Sequence, residues 1–440
     1  MRYEKIKSIV LTMLVLLSIF LTWNLWTYQP NYDTIENSNY VAQVTLSQKQ
    51  DVKKIVRPDL ALYHIKGEHF GTVNPFELDK LTKELSRWVF YDVRNDTDRI
   101  GNINDLTHAN GNVEIVFPTD VPINLYRNVL RFEEKKLPSF NFDKIIVNVE
   151  NPEKDNGIVY FVSTSNEQVY TSRISLTFLN DFTRDFYKVA WQYPHYFAYN
   201  AANKQTFFLP ENELEMMEYK YLPVTLNSDE FKEALFNDPS FVQKSFVPQG
   251  EEFTNGSSKM NINYDRNMLL YVNPTVDSDF SETTNDLVKR SIDFVNEHGG
   301  WTDSYRYVGK DELQHKVTFR LYSDDGYPVF NDSGMSEINE TWGRTEINKY
   351  VRPNISLELP LKTEMKKIKF PSGRAALNYL LSKKGIKPEL LEKIVLGYKM
   401  ERDSKTSKLI LLEPAWFYLY DKTWSEITLE DLGGVTNGLE

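Results

Sequence analysis

Two histidines are the first residues of this sequence whose type and spacing suit metal binding. His64 and His69 are five positions apart around Gly67, with Glu68 between them. On a loop, these side chains could offer two nitrogens and a carboxylate to a metal ion. No third ligand is evident, and no histidine pair has the i, i+4 spacing of a helical metalloprotease motif. We therefore interpret His64 and His69 as surface histidines beside a turn and predict no metal site.

Paired carboxylates are a second possible source of chemistry. Asp324 and Asp325 would suit the acid–base pair of a glycosidase, but they precede Gly326, and Asp-Gly is typical of a β-hairpin turn. We favour the turn. Asp277 and Asp279 begin like a calcium loop, but the glycine at its sixth position and the final glutamate are missing. With 62 acidic residues, carboxylate pairs are expected on a solvated surface and are not informative alone.

The common catalytic and cofactor-binding motifs are absent from the sequence. The absence of cysteine excludes disulfides, zinc–cysteine sites, iron–sulfur clusters and thiol nucleophiles. Neither a phosphate-binding loop, nor the dinucleotide glycine fingerprint, nor a glycine–serine–glycine nucleophile elbow occurs. We therefore predict no cofactor and no catalytic, cofactor-binding or metal-binding residues.

Residues 191–199 (WQYPHYFAY) have a composition that suits carbohydrate binding. Five of these nine residues are aromatic, and aromatic rings can stack on sugar rings. Aromatic side chains more often fill a core or a seam between domains, because they bury large apolar areas. We favour a core or seam and keep carbohydrate binding as an alternative.

The chain that must position these residues is long enough for two or three domains. Its 440 residues are 41% hydrophobic and 26% charged, which is typical of globular packing rather than disorder. The formal net charge is −11, and residues 1–8 contribute +2, so the remainder carries −13. An acidic body of this kind is repelled by nucleic acid, anionic lipid and anionic wall polymers.

The first thirty residues predict a membrane anchor. No side chain from Ser8 to Tyr32 is formally charged, and residues 9–28 would form a helix about 30 Å long, which matches the hydrocarbon core of a bilayer. Three cations precede this run, so the positive-inside rule places residues 1–8 in the cytoplasm and the rest of the chain outside. No cleavage site of small residues follows. We predict an uncleaved signal anchor and a single-pass protein of the cell membrane.

Two sets of residues in this helix are candidate contact sites. Four small polar residues fall within about 120° of arc, and such a stripe suits close packing and hydrogen bonding against a partner helix in lipid. The alternative is that these hydroxyl groups bond within their own helix. The partner interface is predicted at Ser8, Thr12, Ser18 and Thr22, and aromatic anchors at the membrane interface are predicted at Trp23, Trp26 and Tyr28.

Beyond the anchor, the pattern predicts an α+β region of mainly antiparallel sheets with packed helices, because the intervals between strands are too short for helical crossovers. Capping residues and apolar periodicity predict helices at residues 75–90, 285–298 and 372–384. Short β-branched or aromatic runs predict strands at residues 113–117, 145–149, 158–162, 168–176, 316–322, 327–330, 394–400, 408–412 and 415–420.

The later part of the chain contains a faint repeat, in which each of the last two predicted helices is followed by strand runs. Two similar domains explain this pattern, and an accidental likeness of two α+β units explains it equally well. We predict a cytoplasmic tail, a transmembrane helix, a stalk and three extracytoplasmic α+β domains, the last two similar to each other. Their ranges are 1–8, 9–28, 29–50, 51–198, 199–340 and 341–440.

Residues 6–37 (IKSIVLTMLVLLSIFLTWNLWTYQPNYDTIEN) resemble the start of the YycH family. The motifs KSIVLT (residues 7–12), LTW (residues 21–23) and WTYQP (residues 26–30) at a single membrane span carry the likeness. The chain length, the architecture and the absence of cysteine agree with it. This family comprises membrane-anchored regulatory proteins of the cell-wall two-component system YycFG (WalRK) in low-GC Gram-positive bacteria.

The resemblance implies a non-enzymatic accessory protein that acts with YycI (WalI) on the sensor histidine kinase YycG (WalK) through transmembrane helices. It supplies no catalytic residues and does not fix the sign of regulation. Two other functions stay open. One is an extracytoplasmic wall-modifying enzyme, suggested by the location and by residues 191–199. The other is a ligand-binding sensor domain, which requires a deep, partly polar pocket.

Overall fold

The chain folds as two units, Met1–Val41 and Ala42–Glu440. The computed structural model describes residues 2–27, 49–153, 155–201, 205–276 and 287–433, so most of the predicted stalk and the Asp277 and Asp279 pair lie outside the described residues. Within the residues that the structure describes, no helix is found that is both long and apolar enough to cross a membrane. The predicted membrane span therefore stays a prediction.

The described helices include all three that the sequence predicts in the second unit, as α3, α8 and α9. The first unit contains α1, and the remaining helices belong to the second. The helices are α1 (Arg2–Thr27), α2 (Val52–Ile55), α3 (Pro75–Leu85), α4 (Ile103–Thr107), α5 (Ile123–Tyr126), α6 (Leu176–Phe182), α7 (Ser228–Leu235), α8 (Leu287–Glu297) and α9 (Gly373–Ser382).

Ten strands form the N-terminal sheet. They are β1 (Leu60–Ile65), β2 (Glu68–Thr72), β3 (Val89–Asn95), β4 (Asn112–Pro122), β5 (Arg131–Phe132), β6 (Asn141–Glu153), β7 (Asn156–Ser163), β8 (Gln168–Ser175), β9 (His195–Asn200) and β10 (Thr206–Pro210). Their order is β10-β9-β2-β1-β4-β6-β7-β8-β3-β5. All neighbours are antiparallel except β3 and β5, which are parallel, so the antiparallel prediction is confirmed here.

The remaining strands form an eight-stranded sheet, a six-stranded sheet and a short pair. They are β11 (Leu214–Tyr221), β12 (Val224–Thr225), β13 (Gln243–Val247), β14 (Gly250–Thr254), β15 (Lys259–Asn263), β16 (Met268–Val272), β17 (Tyr305–Asp311), β18 (Lys316–Leu321), β19 (Val329–Phe330), β20 (Glu337–Trp342), β21 (Ile347–Pro353), β22 (Ile355–Ser356), β23 (Lys366–Phe370), β24 (Leu391–Arg402), β25 (Ile410–Tyr420) and β26 (Thr423–Ile427). The predicted runs at 408–412 and 415–420 are one strand, β25.

The eight-stranded sheet is inserted in sequence between strands of the six-stranded sheet. The first has the order β13-β14-β15-β16-β21-β20-β18-β17, and the second has the order β19-β24-β25-β11-β23 with β26 on β25. Strand β11 precedes the eight-stranded sheet but pairs with β23 and β25 near the end of the chain. The division into three domains with the bounds given above stays a prediction.

Helix α3 begins where the sequence predicts and ends earlier. The Asn74 side chain accepts hydrogen bonds from two backbone N–H groups of the first turn, at 3.0 and 3.3 Å. The prediction that this helix continues to residue 90 is wrong, because it ends at Leu85. Val89 begins β3, which pairs with β5 through Val89 and Phe90 and with β8 from Tyr91 onwards. All three large sheets contribute to one apolar core, whose buried residues range in sequence from Ile55 to Ile427.

Candidate functional site

Helix α1 carries the predicted partner interface. The Thr22 hydroxyl donates a hydrogen bond to the carbonyl oxygen of Ser18 at 2.8 Å. Thr22 is therefore bonded within its own helix, which is the alternative considered from the sequence. The side chains of Ser8 and Thr12 lie outside the described ones, so the four-residue interface stays a prediction.

The described apolar side chains of α1 are exposed on every side of the helix. Residues 14–17 are consecutive, so they point in four directions about 100° apart, and their exposed fractions lie between 51% and 60%. Trp23, one of the predicted membrane-interface anchors, is 71% exposed. The Trp26 side chain and Tyr28 lie outside the described residues. A helix that is apolar all round is typical of a membrane span or of the centre of a large core.

Five ionisable side chains, four from the N-terminal sheet and His108 after α4, cluster around Glu114. The β1–β2 hairpin brings His64 and His69 together, and their Nδ1 atoms lie 2.7 Å apart. His64 Nε2 lies 2.6 Å from Glu114 Oε1, and Lys144 Nζ donates to Glu114 Oε2 at 2.9 Å. His108 Nε2 is 3.6 Å from the same carboxylate. We call these five residues the Glu114 cluster.

The hydrogen bonds of the Glu114 cluster indicate where its protons lie. Glu114 is ionised because Lys144 and His64 outweigh the effect of burial and hold its pKa well below the ordinary value. His64 Nε2–H therefore donates to Glu114, and one proton lies between the Nδ1 atoms of His64 and His69. Burial lowers the pKa of both His69 and His108 to about 4, so both are neutral at pH 7.

This geometry corrects the interpretation of His64 as a surface histidine. The side chains of His64 and Glu114 are both 0% exposed, whereas Glu68, the other proposed ligand, is exposed. Each ring nitrogen of His64 already has a protein partner. Among the described residues, no group of three or more His, Cys, Asp or Glu side chains is arranged to hold a metal ion. What the cluster can do is stabilise the sheet through an enclosed ion pair.

The Asp324–Gly326 segment forms a turn, which confirms the structural interpretation of its two carboxylates. Gly326 has a φ of +89°, a conformation that favours glycine. The Asp325 carboxylate accepts hydrogen bonds from the hydroxyl groups of Tyr219 and Tyr398, which lie on β11 and β24. This carboxylate therefore attaches the turn to the six-stranded sheet.

Residues 191–199 lie at the edge of the fold, and Tyr196 is the buried one among them. Tyr196 is 7% exposed on β9, and the ring of Tyr193 stacks on that of Tyr63 with their centroids 5.5 Å apart. Trp191 is 72% exposed. The cavity that Tyr196 lines has a volume of only about 110 Å³, so this segment does not form a deep ligand pocket.

Larger cavities occur elsewhere in the second unit. Two cavities of about 610 and 420 Å³ lie where the eight-stranded and six-stranded sheets meet. A third, of about 940 Å³, is lined by α2, the end of α3, residues 128–131 and residues 301–305. We call this third cavity the basic groove. Its charged lining consists of Lys53, Lys54, Arg57, Lys83, Arg131, Asp79 and Asp303.

Known proteins match this chain along almost its whole length. The family model described as YycH protein, N-terminal domain matches residues 4–190, and that of the YycH protein, C-terminal domain matches residues 204–433. The two-component system WalR/WalK regulatory protein YycH of Bacillus subtilis (strain 168) is 25% identical over 435 residues, covering 94% of each chain.

The fold is also similar to a solved structure. The crystal structure of YycH from Bacillus subtilis matches with a TM-score of 0.72 and 21% sequence identity, covering 87% of this chain and 99% of that one. This similarity supports the sheet-rich α+β architecture. The resemblance seen in residues 6–37 is confirmed, and the chain belongs to the YycH family.

Proposed function

We propose that the chain is a non-enzymatic accessory regulator of a WalR/WalK-type two-component system. It acts on the sensor histidine kinase YycG (WalK) through contacts between transmembrane helices, together with a YycI-like partner. The Bacillus subtilis relative is described as a WalR/WalK regulatory protein, which supports the regulatory role. Helix α1 supports the membrane topology, and the family resemblance supports the identity of the partners.

The observation that carries the proposal is the exposed apolar surface of α1. This helix has 26 residues, which gives a length of about 39 Å at 1.5 Å per residue, against about 30 Å for the hydrocarbon core of a bilayer. Its described apolar side chains are exposed on every side of the helix, and none of the residues from Ser8 to Thr27 is charged. We propose that α1 crosses the cell membrane once, with residues 1–8 in the cytoplasm and the bulk of the chain outside.

The small polar stripe gives the contact with the kinase a suitable strength. An interhelical hydrogen bond in a membrane contributes roughly 0.6–2 kcal/mol. A kinase with two states shifts its ratio about tenfold when a partner binds one state better by about 1.4 kcal/mol. One or two bonds from Ser8, Thr12, Ser18 or Thr22 are therefore enough. Thr22 must exchange or share its bond to Ser18 to contribute.

The Glu114 cluster supports a role without catalysis. A general acid or base must lie within hydrogen-bond reach of a substrate atom. His64 and Glu114 have no solvent exposure, and their polar atoms bond to one another and to Lys144. A substrate has no route to them without opening the sheet.

The topology is testable because the sequence contains no cysteine. Single variants Lys5→Cys and Lys362→Cys place one thiol on each proposed side of the membrane. We expect a membrane-impermeant maleimide to label Lys362→Cys in intact cells and Lys5→Cys only after lysis. The opposite pattern would overturn the proposed orientation.

The regulatory contact is tested by expressing residues 1–35 alone in a strain that lacks the full chain. A reporter of the wall regulon measures the output, and immunoblotting of membranes checks that the fragment is inserted. Restored regulation is expected if α1 makes the contact. An inserted fragment that leaves the reporter unchanged would move the active surface to the second unit.

A further inference from the structure

The basic groove differs in charge from the acidic body around it. The chain beyond residue 8 carries −13, whereas the groove presents five cationic side chains and two carboxylates. Lys53 lies 3.7 Å from Asp51, and Arg57 pairs with Asp79. The groove cations that form no ion pair with a described residue are Lys54, Lys83 and Arg131.

Both carboxylates of the groove are already engaged. Asp79 accepts a hydrogen bond from Arg57. Asp303 accepts from the backbone N–H of Leu357 at 2.9 Å and from the Ser356 hydroxyl at 3.4 Å. Burial also raises the pKa of Asp303. The lining therefore keeps an excess of positive charge, with five cations against two carboxylates, and this excess favours an anionic ligand.

The groove also contains a polar atom that lacks a partner. The backbone of Gln50 is fixed by two hydrogen bonds to the Asn296 side chain, at 2.8 and 3.1 Å. Gln50 Oε1 is shielded from solvent and has no hydrogen-bond partner among the described residues. A carbonyl oxygen in this state suits a hydroxyl donor supplied by a ligand.

We propose that the basic groove binds a flexible polymer in which phosphate groups are joined by hydroxyl-bearing units. Its unpaired cations come from three separate segments, Lys54 from α2, Lys83 from α3 and Arg131 from β5. A single phosphate ion cannot contact all of them in a groove of about 940 Å³. Successive phosphates along a chain can, and the intervening hydroxyl groups can donate to Gln50.

An acidic peptide and a membrane surface fit these observations less well. Each peptide unit brings an N–H group that needs an acceptor, and the unpartnered Gln50 Oε1 can serve one such group but not a series of them. A bilayer surface is flat, whereas Arg57 lies inside the concavity with a side chain only 17% exposed. A flexible chain of phosphates can enter the concavity and satisfies cationic donors with its many acceptor oxygens.

The test uses the full chain purified in detergent and a poly(glycerol phosphate) probe of defined length, with binding measured by titration calorimetry at several salt concentrations. At about 0.7 per phosphate contacted, the three unpaired cations predict a slope of log K against log salt near −2.1. The variant Lys54→Gln/Lys83→Gln/Arg131→Gln removes these three contacts, so we expect a slope near zero and affinity at least about tenfold lower at 50 mM salt.

A matched variant controls for net charge. Lys362→Gln/Lys384→Gln/Lys408→Gln removes three exposed cations outside the groove and should bind within about twofold of the unchanged chain. Because all six lysine and arginine side chains are exposed, both variants should keep the melting temperature of the unchanged chain. Equal weakening by both triple variants would overturn the proposal, as would no binding by the unchanged chain at 50 mM salt.

Three further probes identify the chemistry. Inorganic polyphosphate should bind more weakly than poly(glycerol phosphate), because it has no hydroxyl groups for Gln50. If polyglutamate of the same charge bound as tightly as poly(glycerol phosphate), the groove would select its ligand by charge alone, and the proposal would be wrong. Groove-dependent binding to phosphatidylglycerol vesicles, with no binding to the soluble polymer, would assign the groove to a lipid surface. The inference does not rest on kinase regulation, since every readout is binding by the purified chain.

Discussion

Replacing Glu114 by glutamine removes one charge from the enclosed cluster while keeping its shape. In the Glu114→Gln variant, Lys144 keeps its ammonium group in a site where the side chain is 16% exposed. Removing one partner of a buried ion pair costs about 3–5 kcal/mol. The Asp143 carboxylate also favours the charged form of Lys144, so we expect the lower end of that range, about 3 kcal/mol.

The measurement is the free energy of unfolding from urea titration at pH 7.5, followed by tryptophan fluorescence. The double variant Glu114→Gln/Lys144→Met no longer holds an unpaired ammonium group and should recover about 2 kcal/mol of the loss. Asp293→Asn is the matched control, because Asp293 and Lys289 form an ion pair of 2.6 Å in which both side chains are 49% exposed. Its effect should stay within about 0.5 kcal/mol.

Two outcomes would refute this reasoning. A loss below about 1 kcal/mol for Glu114→Gln would mean that Lys144 finds water or another partner when the carboxylate is gone. A double variant no more stable than the single variant would show that the cost does not come from an unpaired charge.

Three further predictions concern other parts of the chain. The pKa of His69 and of His108 is about 4 in the folded chain and about 6.5 in the unfolded chain. Their contribution to stability is therefore complete above pH 6.5 and is lost as the pH falls towards 4. The melting temperature should fall over that range, and it should fall less in the variant His69→Gln/His108→Gln. Thr12→Leu/Thr22→Leu should weaken co-purification with the kinase without changing the melting temperature, and unaltered co-purification would count against the stripe. Gly326→Ala should destabilise the fold by about 1–3 kcal/mol in urea titration, because φ is +89° there and the new Cβ would lie 2.7 Å from a backbone carbonyl oxygen. An unchanged midpoint of the urea transition would show that the turn rearranges freely.

Local sequence patterns predicted the helices well where a cap or a C-terminal glycine accompanied the apolar periodicity. The helices α3, α8 and α9 each had a cap or a C-terminal glycine together with apolar periodicity. The end of α3 was wrong because periodicity continues through Trp88, whereas the strand that begins at Val89 depends on pairing with β8, about 80 residues later in the sequence. Strand pairing is a long-range property that local patterns do not contain.

The same limit explains why both charged sites were missed. His64 bonds to Glu114, and Glu114 bonds to Lys144, only because β1, β4 and β6 are neighbours in the sheet. Lys54, Lys83 and Arg131 are ordinary surface cations in the sequence, and their convergence depends on the packing of three segments. The α1 motifs, in contrast, are contiguous, and they led directly to the family.

The pairing of β11 has a consequence for the order in which the chain can fold. Tyr219 on β11 pairs with Leu412 on β25, about 190 residues later. During synthesis, β11 emerges long before its partners and presents an unsatisfied edge while the eight-stranded sheet is completed. Only the last strands to leave the ribosome can cover it. A nascent chain arrested before β25 should therefore be especially prone to aggregation, and a helper that shields β11 in the meantime would speed maturation without changing the finished protein.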